Sequence, residues 1–120
     1  MKRTSESELV VEYFAGFEAG DHARILATLT PDVEWVVYGH QVMRGKEAFD
    51  AEIDHPAITG SPSYSIERMY QDGPAVIALG TGAAHSYSTG PFTFAFNDVF
   101  TIKDGLIARV DSYLIPLSQS

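Results

Sequence analysis

Between Phe92 and Ile102 the chain reads Phe-Thr-Phe-Ala-Phe-Asn-Asp-Val-Phe-Thr-Ile. Large apolar side chains recur at every second position, the period of a β-strand with one buried face. Asp98 falls in phase with Phe94, Phe96 and Phe100. Such a strand needs a second layer to cover its rings. It must also hold a carboxyl group among them, and a buried carboxyl demands either a hydrogen-bond partner or a proton.

The covering layer comes from the N-terminal half. Ser5 and Glu8 stand at capping-box spacing. Leu9, Val10, Tyr13, Phe14 and Phe17 then form a helical stripe, which Gly20 ends. Asp21 can cap a second helix over His22 to Leu29, stopped by Pro31. Val33, Trp35 and Val37 alternate as a first strand, and Lys46 to Ile53 reads as a third helix. Pro56 to Pro62 reads as loop. Everything after Ser63 reads as strand: Tyr64–Tyr70, Ala75–Tyr87, Phe92–Ile102 and Leu106–Ile115, separated by glycine-rich turns. Helices segregated from an antiparallel meander make the fold class α+β.

Register decides what Asp98 meets, because a slip of one residue exchanges the two faces. A two-residue Asp104-Gly105 turn would set Asp98 opposite Asp111. A three-residue turn, with Gly105 in a bulge, would set it opposite Val110 and send Arg109 and Asp111 outward. The second is preferred, since the first opposes two carboxylates on an aromatic surface. The Ser88–Pro91 turn is similarly ambiguous. A two-residue Thr89-Gly90 loop would put His85 and Thr81 on the face of Asp98, and the alternative would put His85 outside.

A chain of 120 residues with 45% apolar side chains has the size of one domain, with loose tails expected at 1–5 and 116–120. It has no cysteine, so disulfides and thiolate chemistry are excluded. Its formal net charge is −8 and its lysines and arginines are scattered. A nucleic-acid groove or an anionic membrane surface requires basic clusters, so neither partner is expected. No apolar run approaches a membrane span and the N-terminus lacks a signal-peptide pattern, so a cytoplasmic location is expected.

Several segments together resemble the nuclear-transport-factor-2-like superfamily, and most closely its SnoaL-like polyketide cyclase and ketosteroid isomerase branch. They are Tyr13–Asp21, Leu29–Trp35, Arg44–Phe49 and Asn97–Ile107, in that order and spacing. The resemblance implies one SnoaL-like domain, a cone of strongly curved antiparallel sheet wrapped around three helices. It implies a pocket between the concave face and the first helix, and a homodimer through the convex face, where Glu67, Arg68, Arg109, Asp111 and Tyr113 would lie. It further implies that Trp35, Val37, Leu79, Thr81, Phe94, Phe96, Asp98, Val110 and Ser112 look into the pocket, with Phe17 also available to line it.

Carried over by position, Tyr13 matches the oxyanion-hole tyrosine of ketosteroid isomerases and Asp98 the protonated aspartic acid beside it. The isomerase base falls at or near Trp35, which cannot abstract a proton. The epoxide hydrolases' Asp-Arg-Asp set falls on Thr81, Leu79 and Ser112, which lack that chemistry. The expected function is therefore cofactor-independent acid–base chemistry on a small hydrophobic carbonyl compound, of isomerase, cyclase or dehydratase type. Asp98 would be the acid, Tyr13 a second donor, and His40 or His85 a possible base. The alternative is a non-catalytic ligand-binding dimer. His22 and His55 read as surface residues. No two histidines and a carboxylate stand at spacing typical of a metal site, so neither metal nor cofactor is expected.

Overall fold

Alternating burial along the C-terminal strands is the feature on which the architecture rests. The computed structural model describes residues 4–117. Its elements are α1 (Ser5–Ala19), α2 (His22–Leu26), β1 (Leu29–Val37), β2 (Gln41–Arg44), α3 (Lys46–Ile53), β3 (Ile58–Asp72), β4 (Ala75–Ser86), β5 (Gly90–Lys103) and β6 (Leu106–Pro116). The six strands form one sheet in the order β2-β1-β6-β5-β4-β3. This is an α+β fold with a curled, open sheet and helices on its inner face. Among the described residues no helix is long and apolar enough to cross a membrane.

In β5, Phe94, Phe96, Asp98, Phe100 and Ile102 are all buried. The inner face of β5 meets the stripe of α1: the Tyr13 and Phe14 rings lie 5.0 and 5.7 Å from that of Phe100. Burying such side chains is worth about 1.5–3 kcal/mol each. Phe49 of α3, fully buried, closes the core on the side of Trp35.

Several sequence expectations shift. The capping box is Thr4 with Ser7, one residue earlier than Ser5 with Glu8. The second helix ends at Leu26, and Leu29 through Pro31 already belong to β1. The segment read as loop from Pro56 is strand from Ile58 onward, and β2 was not anticipated. The sheet is mixed rather than purely antiparallel, because β1 runs parallel to β6. Of the expected tails, Thr4 is a helix cap, Pro116 pairs with Phe94, and the Leu117 N–H donates to Thr93 O. Residues 1–3 and 118–120 lie outside the described residues.

Neither expected register around Gly105 is adopted. Asp104 and Gly105 form a two-residue turn, with φ of 53° and 78° and Lys103 opposite Leu106. Ala108 is then extruded as a bulge, since Ile102 faces Ile107 while Thr101 faces Arg109. The extra residue moves Asp98 past Asp111 to stand opposite Ser112. Val110 stays inward, as the preferred register required. Arg109 and Asp111 point outward and join Glu34, with Arg109 Nη1 2.8 Å from Glu34 Oε1.

The β4–β5 turn settles the second ambiguity differently. Ser86 pairs with Gly90, so His85 faces Pro91, Thr81 faces Ala95 and Asp98 faces Ala78. A longer turn than Thr89-Gly90 therefore places Thr81, His85 and Leu79 on the face opposite Asp98, correcting the inward expectation for all three. Gly82 is needed where it stands. A Cβ there would lie 2.4 Å from the Phe94 ring, which occupies that space.

Candidate functional site

Two polar assemblies sit in this frame, one inside the core and one at the edge of a cavity. The inner one is centred on Asp98, which is 6% exposed. Its Oδ1 has no hydrogen-bond partner among the described residues. Burial pushes the carboxyl up to about 7, and the neighbouring Ser112 hydroxyl pulls the other way. Ser112 Oγ accepts a hydrogen bond of 3.0 Å from Trp35 Nε1. The parallel β1–β6 pairing makes that bond possible by setting Trp35 beside Val110 and Val37 beside Ser112. Trp35 itself is stacked on Phe49 at 4.4 Å, so the indole has a fixed orientation.

Two phenols feel the Asp98 charge. Tyr13 is 2% exposed, and burial first and Asp98 second push its ionisation well up. Tyr64 is pushed up by burial, then by Asp98 and Glu18. Both stay protonated and can act only as hydrogen-bond donors or acceptors at neutral pH. Tyr13 is packed among Phe14, Phe17, Phe49 and Phe100, away from the cavity. Tyr64 was not singled out by the sequence, yet it lines the cavity. Its place at alternate positions of a long strand carried only a packing signal.

The cavity has a volume of about 460 Å³ and opens between α1, the α3–β3 connection and the sheet. Phe17, Trp35, Val37, His40 and Phe94 line it as expected. Tyr64, Phe92, Ala84, Leu114 and Pro116 add to its apolar wall. Phe96, Val110 and Ser112 are buried on the same inner face but behind that wall, as are Asp98 and Tyr13. Trp35 lines the cavity and its indole N–H reaches Ser112, the hydroxyl that also bonds Asp98. The cavity volume falls in the range of small-molecule sites, roughly 300–1,000 Å³.

The second assembly borders the cavity. His40 from the β1–β2 turn, Glu52 from α3 and His55 just beyond it bring their ligating atoms within 4.8 Å of one another. His40 Nε2 is 3.6 Å and His55 Nε2 3.7 Å from Glu52 Oε2. Two histidines and a carboxylate do gather, contrary to the expectation from spacing along one helix or strand, because His40 arrives from a distant turn. His55 is half-buried in this group rather than a plain surface residue. Glu52 was not foreseen, because an isolated helical glutamate gives no sequence signal.

His22, also expected to be merely exposed, anchors α3 from α2. Nδ1 meets Asp50 and Nε2 lies 2.8 Å from Asp54 Oδ2. The bond to Asp50, reinforced by Asp54, raises the imidazole above its usual range. This clamp fixes the helix end that carries Glu52.

Solved structures of other proteins share this fold. The structure superposes on a protein of unknown function from Burkholderia pseudomallei with an NTF2-like fold, at a TM-score of 0.84 and 20% identity over 92% of this chain and 90% of that one. It is similar to an epoxide hydrolase of the LEH-like type from M. tuberculosis, with a TM-score of 0.80, 20% identity, and 92% and 82% of the two chains covered. TerC, crystallised with polyporic acid, gives a TM-score of 0.81 at 26% identity over 91% and 90%. A search of curated protein sequences finds no significant match. Residues 10–110 match the family model of the SnoaL-like domain, and the chain belongs to that family.

Proposed function

We propose that the cavity binds a small, flat, hydrophobic carbonyl compound and turns it over through its enol, by isomerisation, cyclisation or dehydration. The observation that carries this reading is an aromatic-walled cavity of about 460 Å³ with two imidazoles and a carboxylate gathered at one side. Enolisation needs a base near the α-carbon and a donor at the oxygen. His40, backed by Glu52, is the base. Tyr64 is the donor that reaches the ligand, while Asp98, behind the wall, acts only indirectly, by holding Ser112 and through it the Trp35 indole that forms part of that wall. Tyr13 supports Asp98 from within the core. TerC, with 26% identity, was crystallised with polyporic acid, which fits a cavity of this kind. The outer sheet face, with Tyr38, Tyr113 and Ile115 exposed, is the surface through which the chain would pair as a homodimer.

The test uses 2-tetralone, an enolisable aromatic ketone, in D₂O. Trp35, the single tryptophan of the chain, reports binding by saturable fluorescence quenching. NMR follows α-proton exchange. Exchange well above the buffer rate, suppressed in His40→Ala and Tyr64→Phe, is the expected result. Saturable quenching with exchange at the buffer rate would instead establish the binding-only alternative and refute catalysis.

A further inference from the structure

We infer that His40, Glu52 and His55 form a binding site for one divalent cation of the zinc class, open on the cavity side. The inference deepens the reading above and rests on it only for where a ligand would meet the cation. The geometry is that of three ligands around a common point. Four-coordinate zinc with bonds of roughly 2.0–2.1 Å places its ligand atoms roughly 3.4 Å apart. The two measured edges, His40 Nε2 to Glu52 Oε2 and His55 Nε2 to Glu52 Oε2, are 3.6 and 3.7 Å. Both are too long for hydrogen bonds, so the three groups converge without satisfying one another. Two imidazoles and one carboxylate are a donor set that suits zinc, and three protein ligands leave a position for water or substrate. The nearby Asp54, which also borders the cavity, is engaged by His22 and does not fill that position.

One contact sets the terms of loading. The Ala57 N–H donates to His55 Nδ1 at 3.1 Å. A neutral ring that accepts there carries its proton on Nε2. Coordination through Nε2 therefore needs the other tautomer, with the proton moved to Nδ1, and gives up the Ala57 bond. Binding is accordingly weaker than in a closed structural zinc site. With a cation held there, the His40 nitrogen would no longer be free to take a proton, and a water at the open position that had lost a proton to solvent would supply the base facing the cavity.

The experiment is calorimetric titration of the metal-stripped full chain with zinc chloride at pH 7.5, with no ketone present. One-to-one binding with micromolar or tighter affinity is expected. It should weaken at least about tenfold in His40→Ala, Glu52→Gln and His55→Ala, and stay unchanged in His85→Ala on the opposite sheet face. Since a substitution could disturb the fold, ¹H–¹⁵N spectra of the unaltered chain provide a second readout. Zinc should shift the ring nitrogens of His40 and His55 and leave those of His85 in place. Absence of saturable one-to-one binding, persistence of it in Glu52→Gln and His55→Ala, or shifts confined to other histidines would overturn the site. Ketone exchange measured with chelator is independent, so the two readings fail separately.

Discussion

Asp98 and Glu52 are carboxylates a few side chains apart in function and far apart in physics. Asp98 stands in the middle of a central strand, and its neighbours are dictated by the ladder: Ala78 on one side, Ser112 on the other, phenyl rings above. Glu52 stands near the end of an eight-residue helix, and its neighbours come from two connecting segments. The first is dry, and burial, partly offset by the Ser112 hydroxyl, pushes it up to about 7. The second keeps access to the cavity and two imidazoles within reach. A sheet interior thus tunes a proton, and a rim gathers ligands. The strand position is fixed by many contacts at once, whereas the rim can change its partners without disturbing the core.

The sharpest way to break this contrast is to insert one alanine after Ala108. With the one-residue bulge kept, the rest of β6 slides by one position, which brings Asp111 opposite Asp98 and turns Val110 outward, two carboxylates facing on an apolar surface. Loss of cooperative folding by circular dichroism is expected, and a normally folded insertion variant would show that this register does not hold the core together.

Next in size is Asp98→Asn. The folded carboxyl titrates near 7 against 3.8 for a free group, so the folded state binds its proton more tightly. Below about pH 4 both states are protonated and burial costs nothing extra. As pH rises from about 4 to about 7, only the unfolded state releases the proton, and stability falls. At about 1.4 kcal/mol per pH unit the full penalty is on the order of 4 kcal/mol above pH 7. Asparagine removes it. Urea denaturation should show a gain over the parent chain at pH 8 that shrinks toward pH 4, and a pH-independent difference would refute a neutral Asp98.

Glu52→Gln probes the other side of the comparison. Stability should change by less than about 1 kcal/mol, because the surroundings are partly wet and no ladder depends on it. A loss as large as a core substitution would mean that the rim is structural. The smallest effect belongs to the His22 clamp. Its imidazole is raised by Asp50 and Asp54, so its contribution is fully present below the unfolded value of 6.5 and is lost as pH climbs through the raised folded value. His22→Ala should lower the melting temperature more at pH 6 than at pH 9, and an equal drop at both would remove the ionic explanation.

Much of the scaffold could be read from the chain because it is written in local periods. The Phe92–Ile102 alternation placed Asp98 inward, and the Tyr13, Phe14, Phe17 stripe placed α1 against it. What escaped depends on contacts between distant segments. Nothing near Ala108 marks it as extruded. The parallel partnership of β1 with β6, which brings the Trp35 indole to Ser112, involves residues 77 positions apart. The rim cluster likewise joins a turn to a helix end, so neither Glu52 nor His55 stood out. Tyr64 was hidden for a different reason, being one of many aromatics on apolar faces.

The central place of β6 has a consequence for how the molecule is made. β3, β4 and β5 are consecutive hairpins and can pair as they emerge from the ribosome, whereas β1 must wait for a neighbour that is synthesised after all of them. Until that strand docks, β1 and β2 have no sheet to join, and Leu114 and Pro116 are missing from the cavity wall. A nascent or C-terminally clipped chain would therefore hold a hairpin stack with open edges and no place for a ligand, the form most exposed to aggregation and to quality-control proteases.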